Sequence, residues 1–425
     1  MMRILALVLL TGLAIEAQAA GFALNEQSTS GLGNSFAGGA ASAEDASSQF
    51  FNPASMTYLP DSQIVVAVHA IRPSANFSNN GSRSAASTLT PGGDGGDPGA
   101  WAFVPNIYYT KALNETIRLG LSINAPFGLK TDYEKDWVGR YQGIKSDLST
   151  LNINPSVAFK LNDRLSWGLG VSAMQARAEL TSAINLGALI PGASDGAVQI
   201  KGDDWGFGWN TGMIFQLTED TRLGLAYRSK VHQTLEGNVN FGNVPPLLAF
   251  ADSKASAKIT MPDTFSASVF HRLNKQWDVM ADATWTNWSS FQDLTAIRTN
   301  GVLSGSIIAS TPHNWQDTMR YAFGATYHYD EKLKFRTGVS YDETPVGNRM
   351  RTARIPDNDR ISMSFGVSYR YSANSTFDLG YSHLFLRETS INKRNDTDIP
   401  ALADTLTGHY NTRFDSLSLQ YVYTF

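Results

Sequence analysis

The chain contains no cysteine. That excludes a disulfide scaffold, thiol catalysis and a lipid-modified N-terminal cysteine. There is no surplus of basic charge: 34 Lys and Arg stand against 38 Asp and Glu, and the pI is near 6.0. No nucleic-acid partner is therefore expected. Charged residues make up only 17%, which is low for a soluble globular protein. Beyond the N-terminus no run of about 18 apolar residues occurs, so no transmembrane helix is expected. The mean hydropathy of −0.20 is likewise too polar for a helical membrane protein. The seven histidines, His232, His313 and His383 among them, lack close ligand spacing, so neither a metal nor another cofactor is expected. No G-x-x-x-x-G-K-[ST] loop hints at nucleotide-driven pumping. One G-x-S-x-G match, GASDG at 192–196, surrounds Ser194. A nucleophile elbow needs a strand-to-helix turn, and this stretch reads as a loop of turn formers. No catalytic residue is expected, and the chain is not read as an enzyme.

At the N-terminus, Arg3 precedes the apolar run Ile4 to Ile15 and the triplet Ala17-Gln18-Ala19. The pattern predicts a signal peptide over 1–19, cleaved after Ala19. It is too short to span a bilayer as a helix. A cytosolic apolar first helix is the alternative.

The rest of the chain is dominated by alternation with period two. In LNINPSVAFKL, Leu151, Ile153, Val157, Phe159 and Leu161 share one face, while Asn152, Asn154, Ser156 and Lys160 share the other. WDVMADATW (277–285) and ISMSFGVSYRY (361–371) repeat the pattern. Short polar connectors at 113–116, 161–164, 218–221, 273–276, 329–332 and 372–375 each carry Asn or Asp, residues suited to turns. Longer stretches rich in Gly, Ser, Pro and Asp lie between them, roughly at 78–100, 126–147, 181–204, 236–257, 290–315, 343–358 and 389–410. Fourteen strands result, with tight turns on one side and long loops on the other.

An even number of antiparallel strands with that asymmetry predicts an all-β membrane protein, a 14-stranded antiparallel transmembrane β-barrel of the outer membrane. Hydrocarbon offers no hydrogen-bond partner, so the sheet must close on itself. A soluble β-sandwich would alternate too, but without the short–long asymmetry. The chain ends on SLSLQYVYTF, alternating into Phe425, as a last strand closing onto the first would. Phe425 resembles the aromatic carboxy-terminal signal read by the barrel-insertion machinery.

Residues 20–60 do not alternate, yet carry Phe22, Leu24, Phe36, Phe50 and Phe51. A disordered linker holds fewer aromatics. This segment is expected to fold as an N-terminal hatch, a plug in the lumen, with the barrel over 61–425.

The segment AGFALNEQSTSGLGNSFAGGAASAEDASSQFFNPASM resembles the hatch of the FadL family, outer-membrane transporters of long-chain fatty acids and related hydrophobic compounds. Asn52, Pro53 and Ala54 match its NPA signature. The stretches WVGRYQGIKSDLSTLNINPSVAF, DWGFGWNTGMIFQLTEDTRLGLAYRSKV and IPDNDRISMSFGVSYRY extend the resemblance over nearly the whole chain. It implies passive transport without a cofactor, by a chain read as a monomer set in outer-membrane lipid and lipopolysaccharide. The ligand is a hydrophobic small molecule, a fatty acid or an uncharged hydrocarbon.

Three features are candidates for the ligand's path. Two loops carry clustered apolar residues, Leu186, Leu189 and Ile190 in one and Val244, Leu247, Leu248 and Phe250 in the other. Such clusters mark either a binding surface or loop packing; the resemblance implies an apolar groove. The third strand ends in INAPFGLKT. Pro126 lacks a ladder donor and Gly128 permits unusual dihedrals. The stretch reads as plain strand termination or as a break, and the resemblance implies a kink at Pro126, Phe127 and Gly128 with a lateral opening. It also places Phe22 in the lining of an internal pocket. The family's fatty-acid carriers hold the carboxylate with basic residues, whereas the matching positions here are Ser182 and Gln316. Arg177 and Arg320 stand nearby as substitutes, since arginine can bind a carboxylate bidentately. A lipid-acting enzyme and an adhesive barrel with a fixed plug remain as other readings.

Overall fold

The computed structural model describes residues 21–84, 89–246, 251–395 and 402–425. Twenty strand segments form one antiparallel sheet. The first seven are β1 (Gln63–Asn79), β2 (Ala102–Ala112), β3 (Ile117–Asn124), β4 (Gly128–Asp132), β5 (Lys145–Asn162), β6 (Leu165–Ile184) and β7 (Gly196–Gln216). Next come β8 (Thr221–Arg228), β9 (Val231–Gly242), β10 (Ser253–Met261), β11 (Thr264–Arg272), β12 (Trp277–Thr286) and β13 (Asp293–Arg298). The remainder are β14 (Ile307–Pro312), β15 (Thr318–His328), β16 (Leu333–Asp342), β17 (Arg360–Arg370), β18 (Ser375–Leu386), β19 (Thr389–Asn395) and β20 (Asp404–Thr424).

These segments make fourteen staves. Six are interrupted once, so that β3 continues as β4, β8 as β9, β10 as β11, β12 as β13, β14 as β15 and β18 as β19. The sheet closes because β1 pairs with both β2 and β20: Ile64 faces Tyr109 on one side and Tyr423 on the other. Closure leaves no strand edge in the hydrocarbon, the condition for crossing it with strands.

Alternation sets the two faces. Val279 points outward and Met280 is buried; Leu151 is exposed while Asn152 and Asn154 are buried. Leu119, Leu121, Val171, Phe323, Phe365, Leu417 and Leu419 form part of the outer belt. Tyr329 and Tyr371 lie at tight turns, a position suited to their amphipathic rings at a membrane interface. Inside, polar side chains satisfy one another across strands. Asn154 donates from Nδ2 to Ser172 Oγ (2.9 Å) and Asn210 Oδ1 (2.8 Å).

The strands overrun the expected loops. β6 extends to Ile184, β7 begins at Gly196 rather than at 205, and β20 begins at Asp404. The ladder needs only backbone groups, so it continues beyond the lipid belt, where apolar–polar alternation is no longer required.

Residues 21–62 precede β1 and pack against the inward faces of the staves. Ser28 caps the single turn α1 (Thr29–Gly33). Asn52 caps a 3-10 turn over Pro53–Tyr58, its Oδ1 accepting from Ala54 N at 2.9 Å with Pro53 in the first position. Proline fits there because that amide would have no intrahelical partner. Side chains and wall lock together. Asn52 Nδ2 donates to Met213 O (3.0 Å), Asn34 Nδ2 to Ala325 O (2.8 Å), and Ser35 Oγ meets Ser364 Oγ at 2.8 Å. Glu44 pairs with Lys334 (2.9 Å) and Arg336 (2.7 Å), and Arg336 pairs again with Asp378 (2.8 Å). Two inward glycines show how close the approach is. A Cβ on Gly212 would stand 2.2 Å from Asn52 Oδ1, and one on Gly338 would stand 2.2 Å from Asn34 C.

Candidate ligand-binding site

The third stave is where the wall is incomplete. The ladder between β2 and β3 ends at Ile107 and Ile123, and β2 runs on to Ala102 paired with β1 alone. On the other side, β5 keeps contact across the break. Asn124 faces Asn152 and Gly128 faces Ser149, so four steps on one strand match three on its partner. One extra residue in a ladder bends the strand. Thr150 bridges the break, its hydroxyl donating to Phe127 O (2.6 Å) and accepting from Phe127 N (3.0 Å).

The free edge of this bend is occupied by the N-terminal segment. Leu24 N donates to Pro126 O and Gly128 N donates to Phe22 O, both at 2.9 Å, and Ala23 faces Phe127 as an antiparallel bridge. Pro126 thus contributes its carbonyl, and its missing donor is not needed. Gly128 does not adopt a left-handed conformation among the described residues; its value is space, since a Cβ there would lie 3.2 Å from Leu24 Cδ1. Leu24 itself packs with Ile71, Val104, Ala125 and Phe414 behind the gap in the wall.

Phe22, two residues before Leu24, packs into a separate cluster, an aromatic box. Its ring centroid lies 4.7 Å from Trp288, 5.4 Å from Phe291, 5.6 Å from Trp315 and 5.9 Å from Phe127. Above the box opens a cavity of about 570 Å³, within the range of small-molecule sites. Phe22, Leu148, Leu235, Ile259, Phe291 and Ile355 supply apolar lining, and Tyr141, Gln142, Ser182, His313 and Arg354 supply polar groups. Arg354 lies between β16 and β17. Burial pushes its guanidinium down to about 10, still protonated at neutral pH. Glu26, within the strap of residues 21–28, is buried with Oε2 unpartnered. Desolvation pushes it up to about 7, against the pull of its backbone amide, Arg360 and Arg320.

Of the residues singled out from the sequence, Phe22 and Ser182 line this cavity. Leu186 is buried, with Val244 close by, both beside Gly196; Leu189 and Ile190 are exposed next to them. Leu247, Leu248 and Phe250 lie outside the described residues. The two substitute arginines require correction. Arg177 is exposed and has the outward parity of Leu169 and Val171. Arg320 faces inward but is engaged by Ser35 O (2.5 Å), with Asp282 at 4.0 Å. Neither lines the cavity. Gln316 is exposed, its amide donating to Pro345 O. Phe425 is exposed, with its amide donating to Ser62 O. The GASDG stretch leads into β7 and Asp195 is tied to Arg140 Nε at 2.7 Å. Arg354, Trp288 and Trp315 escaped the sequence reading. The tryptophans carried a signal, each being a large apolar residue in an otherwise polar stretch, WTNWSS and HNWQD.

A family described as outer membrane protein transport protein (OMPP1/FadL/TodX) matches residues 10–425. The long-chain fatty acid transport protein of Escherichia coli K12 is 32% identical over 413 residues, covering 89% of this chain and 90% of that protein. Outer membrane protein P1 of Haemophilus influenzae is 32% identical over 404 residues, covering 87% of this chain and 86% of that protein. A crystal structure of a Pseudomonas aeruginosa FadL homologue superposes with a TM-score of 0.89 at 27% identity, over 96% of this chain and all of that one. The Ralstonia pickettii toluene transporter TbuX shares the fold, with a TM-score of 0.68 at 21% identity over 93% of this chain and 99% of that one.

Proposed function

The chain belongs to the OMPP1/FadL/TodX family of outer-membrane transport proteins, and from that premise we propose that it carries long-chain fatty acids passively across the outer membrane. The route runs from the apolar loops at Leu186, Leu189 and Ile190 into the cavity, and from there sideways through the gap in the third stave. Residues 20–60 serve as the hatch, of which the strap at 21–28 is the moving part. Burying a methylene is worth about 0.8 kcal/mol. A sixteen-carbon chain therefore favours an apolar cavity over a water-filled pore by on the order of 12 kcal/mol. A lateral exit into lipid avoids that cost; a straight aqueous channel does not.

One observation carries this reading. Phe22 faces the cavity with its ring, and its backbone seals the wall gap against Gly128. Displacing one residue would therefore open the cavity toward the membrane. Because the chain has no cysteine, a lock can be introduced cleanly. Ala23→Cys with Phe127→Cys joins the bridge partners. Radiolabelled oleate uptake by cells is expected to stop on oxidation and return on reduction. Undiminished uptake in the oxidised protein would refute the gate.

A second reading, uptake of uncharged hydrophobic compounds such as aromatic hydrocarbons by the same route, is favoured by the neutral Ser182 in the cavity lining. Toluene uptake in place of oleate uptake would select it. The mechanism leaves no step for a lipid-acting enzyme.

A further inference from the structure

The outward face of the barrel changes character at one level across β7, β9 and β10. Going up β7 from its short turn, Met213, Trp209, Phe207 and Trp205 are exposed, and Asp203 and Lys201 follow with the same parity. Short turns lie on the periplasmic side of such barrels. From Gln216 to Phe207 is nine residues. At about 3.3 Å each and a tilt of about 40° they rise about 23 Å, close to the full apolar band of about 25 Å. The three aromatic rings therefore stand where hydrocarbon gives way to the head groups of the outer leaflet, the level that such rings favour.

A basic residue stands beside each of them. Ser229 is tied to Trp209 by two hydrogen bonds of 2.8 Å, which sets exposed Lys230 at that level. The ladder sets Asp203 against Glu236 and Glu236 against Ser256. Continued downward, the same register puts exposed His232 in the row of Phe207, and exposed Lys258 with Thr234 in the row of Trp205. His232 meets Thr260 Oγ1 through Nδ1 (3.0 Å), which leaves Nε2 for a ligand. Among the described residues neither Lys230 nor Lys258 has an ion pair or a hydrogen bond from its ammonium.

The acids of this face do not neutralise the pair. Glu236 is diagonal to Lys258, about 7–8 Å off in an antiparallel ladder. Asp204 accepts from Thr234 N, and Asp263 accepts from Tyr227 and Asn287. Higher up, the charges are matched: Arg177 faces Asp203, and Lys201 pairs with Glu179 at 3.4 Å. Elsewhere on the outer surface Arg72 pairs with Asp97 (2.9 Å) and His383 with Asp415 (2.7 Å). Two unanswered ammonium groups at the edge of the hydrocarbon attract an anion, and lysine is a strong binder of phosphate. An outer leaflet carries phosphate at this level on its glycolipid, whose acyl chains lie against the exposed rings below.

We propose that Lys230, His232 and Lys258 form a docking site on the outer surface of the barrel for a phosphate of the outer-leaflet glycolipid, with Phe207 and Trp209 against its acyl chains. The site lies outside the cavity and does not rest on the transport reading.

The test uses the full chain in detergent, stripped of lipid, with bound lipid measured by native mass spectrometry. The probes are lipid A with both phosphates, the same lipid with both removed, and phosphatidylglycerol. The unmodified protein is expected to bind the phosphorylated lipid A at least fivefold more tightly than either of the others. Lys230→Gln and Lys258→Gln are each expected to weaken it at least threefold. Arg413→Gln, an equal loss of charge at an exposed position on β20, should leave it within a factor of one and a half. Equal affinity for phosphorylated and bare lipid A overturns the proposal, even if the lysine variants fail to fold. Phosphatidylglycerol binding as tightly as phosphorylated lipid A also overturns it, since any anionic lipid would then serve. So does equal weakening by Arg413→Gln. Displacement of the lipid by inorganic phosphate would reveal a bare anion site and refute the lipid as its occupant.

Discussion

Glu26 sits in the strap with one carboxylate oxygen unpartnered. Its carboxyl ordinarily titrates at 4.5, and burial raises it to about 7. Between those values the docked strap holds more protons than the undocked one. Docking is therefore most stable below about 4.5, and the advantage is lost as pH rises through about 7. The effect is at most about 3.5 kcal/mol, at about 1.4 kcal/mol per unit. Hydrogen exchange of residues 21–28, corrected for intrinsic rates, should be faster at pH 8 than at pH 5, and Glu26→Gln should remove the difference. A pH-independent exchange rate in the unmodified protein would count against this account. Arg177 teaches a different lesson at the same scale. Its outward direction was legible from its parity with Leu169 and Val171. Arg354 was not legible, because Lys145, whose carbonyl holds it, lies 209 positions away.

Elements show where local rules succeed. Alternation located fourteen staves, since one face meets lipid and the other meets the polar interior and residues 21–62. It misjudged their ends above the membrane, where β7 and β20 continue through polar sequence on backbone pairing alone. Proline and glycine at 126 and 128 marked the broken stave, but the break is held by Thr150 and by the incoming strap, neither of which is local. The segment packed inside the barrel imposes its own demand on the wall elements. Gly212 on β7 admits Asn52, and any side chain there meets Asn52 Oδ1. Overpacking of this kind costs about 1–3 kcal/mol. Gly212→Ala should lower the unfolding temperature of the barrel in detergent, whereas Gly347→Ala, where nothing lies within 4 Å, should not. Equal midpoints for the two variants would show that the hatch yields freely at this contact.

At the scale of the molecule, the segment 21–62 proposed as the hatch divides into two parts of unequal tenure. The body is tied to the wall by Asn34, Asn52, the Ser35–Ser364 contact and the Glu44–Arg336–Asp378 chain of charges. The strap at 21–28 is tied by Phe22 in its box, by two backbone hydrogen bonds to the bent stave and by hydrogen bonds with Asp357, Ala125, Asn106 and Tyr108, but among the described residues it has none of the ion pairs that hold the body. Local opening follows the weaker set of contacts. A disulfide through Ser35→Cys and Ser364→Cys, whose hydroxyl oxygens already lie 2.8 Å apart, should leave oleate uptake within about twofold. Loss of uptake on oxidation would mean that the whole hatch must move.

Sequence alone determined the barrel and the number of its staves, because both are written in the periodicity and turn chemistry of neighbouring residues. Tertiary structure alone decided which cation reaches the cavity, what seals the gap and how the hatch is seated. Those outcomes depend on closure of the sheet, which brings residues hundreds of positions apart within hydrogen-bonding distance, and no local pattern encodes that proximity.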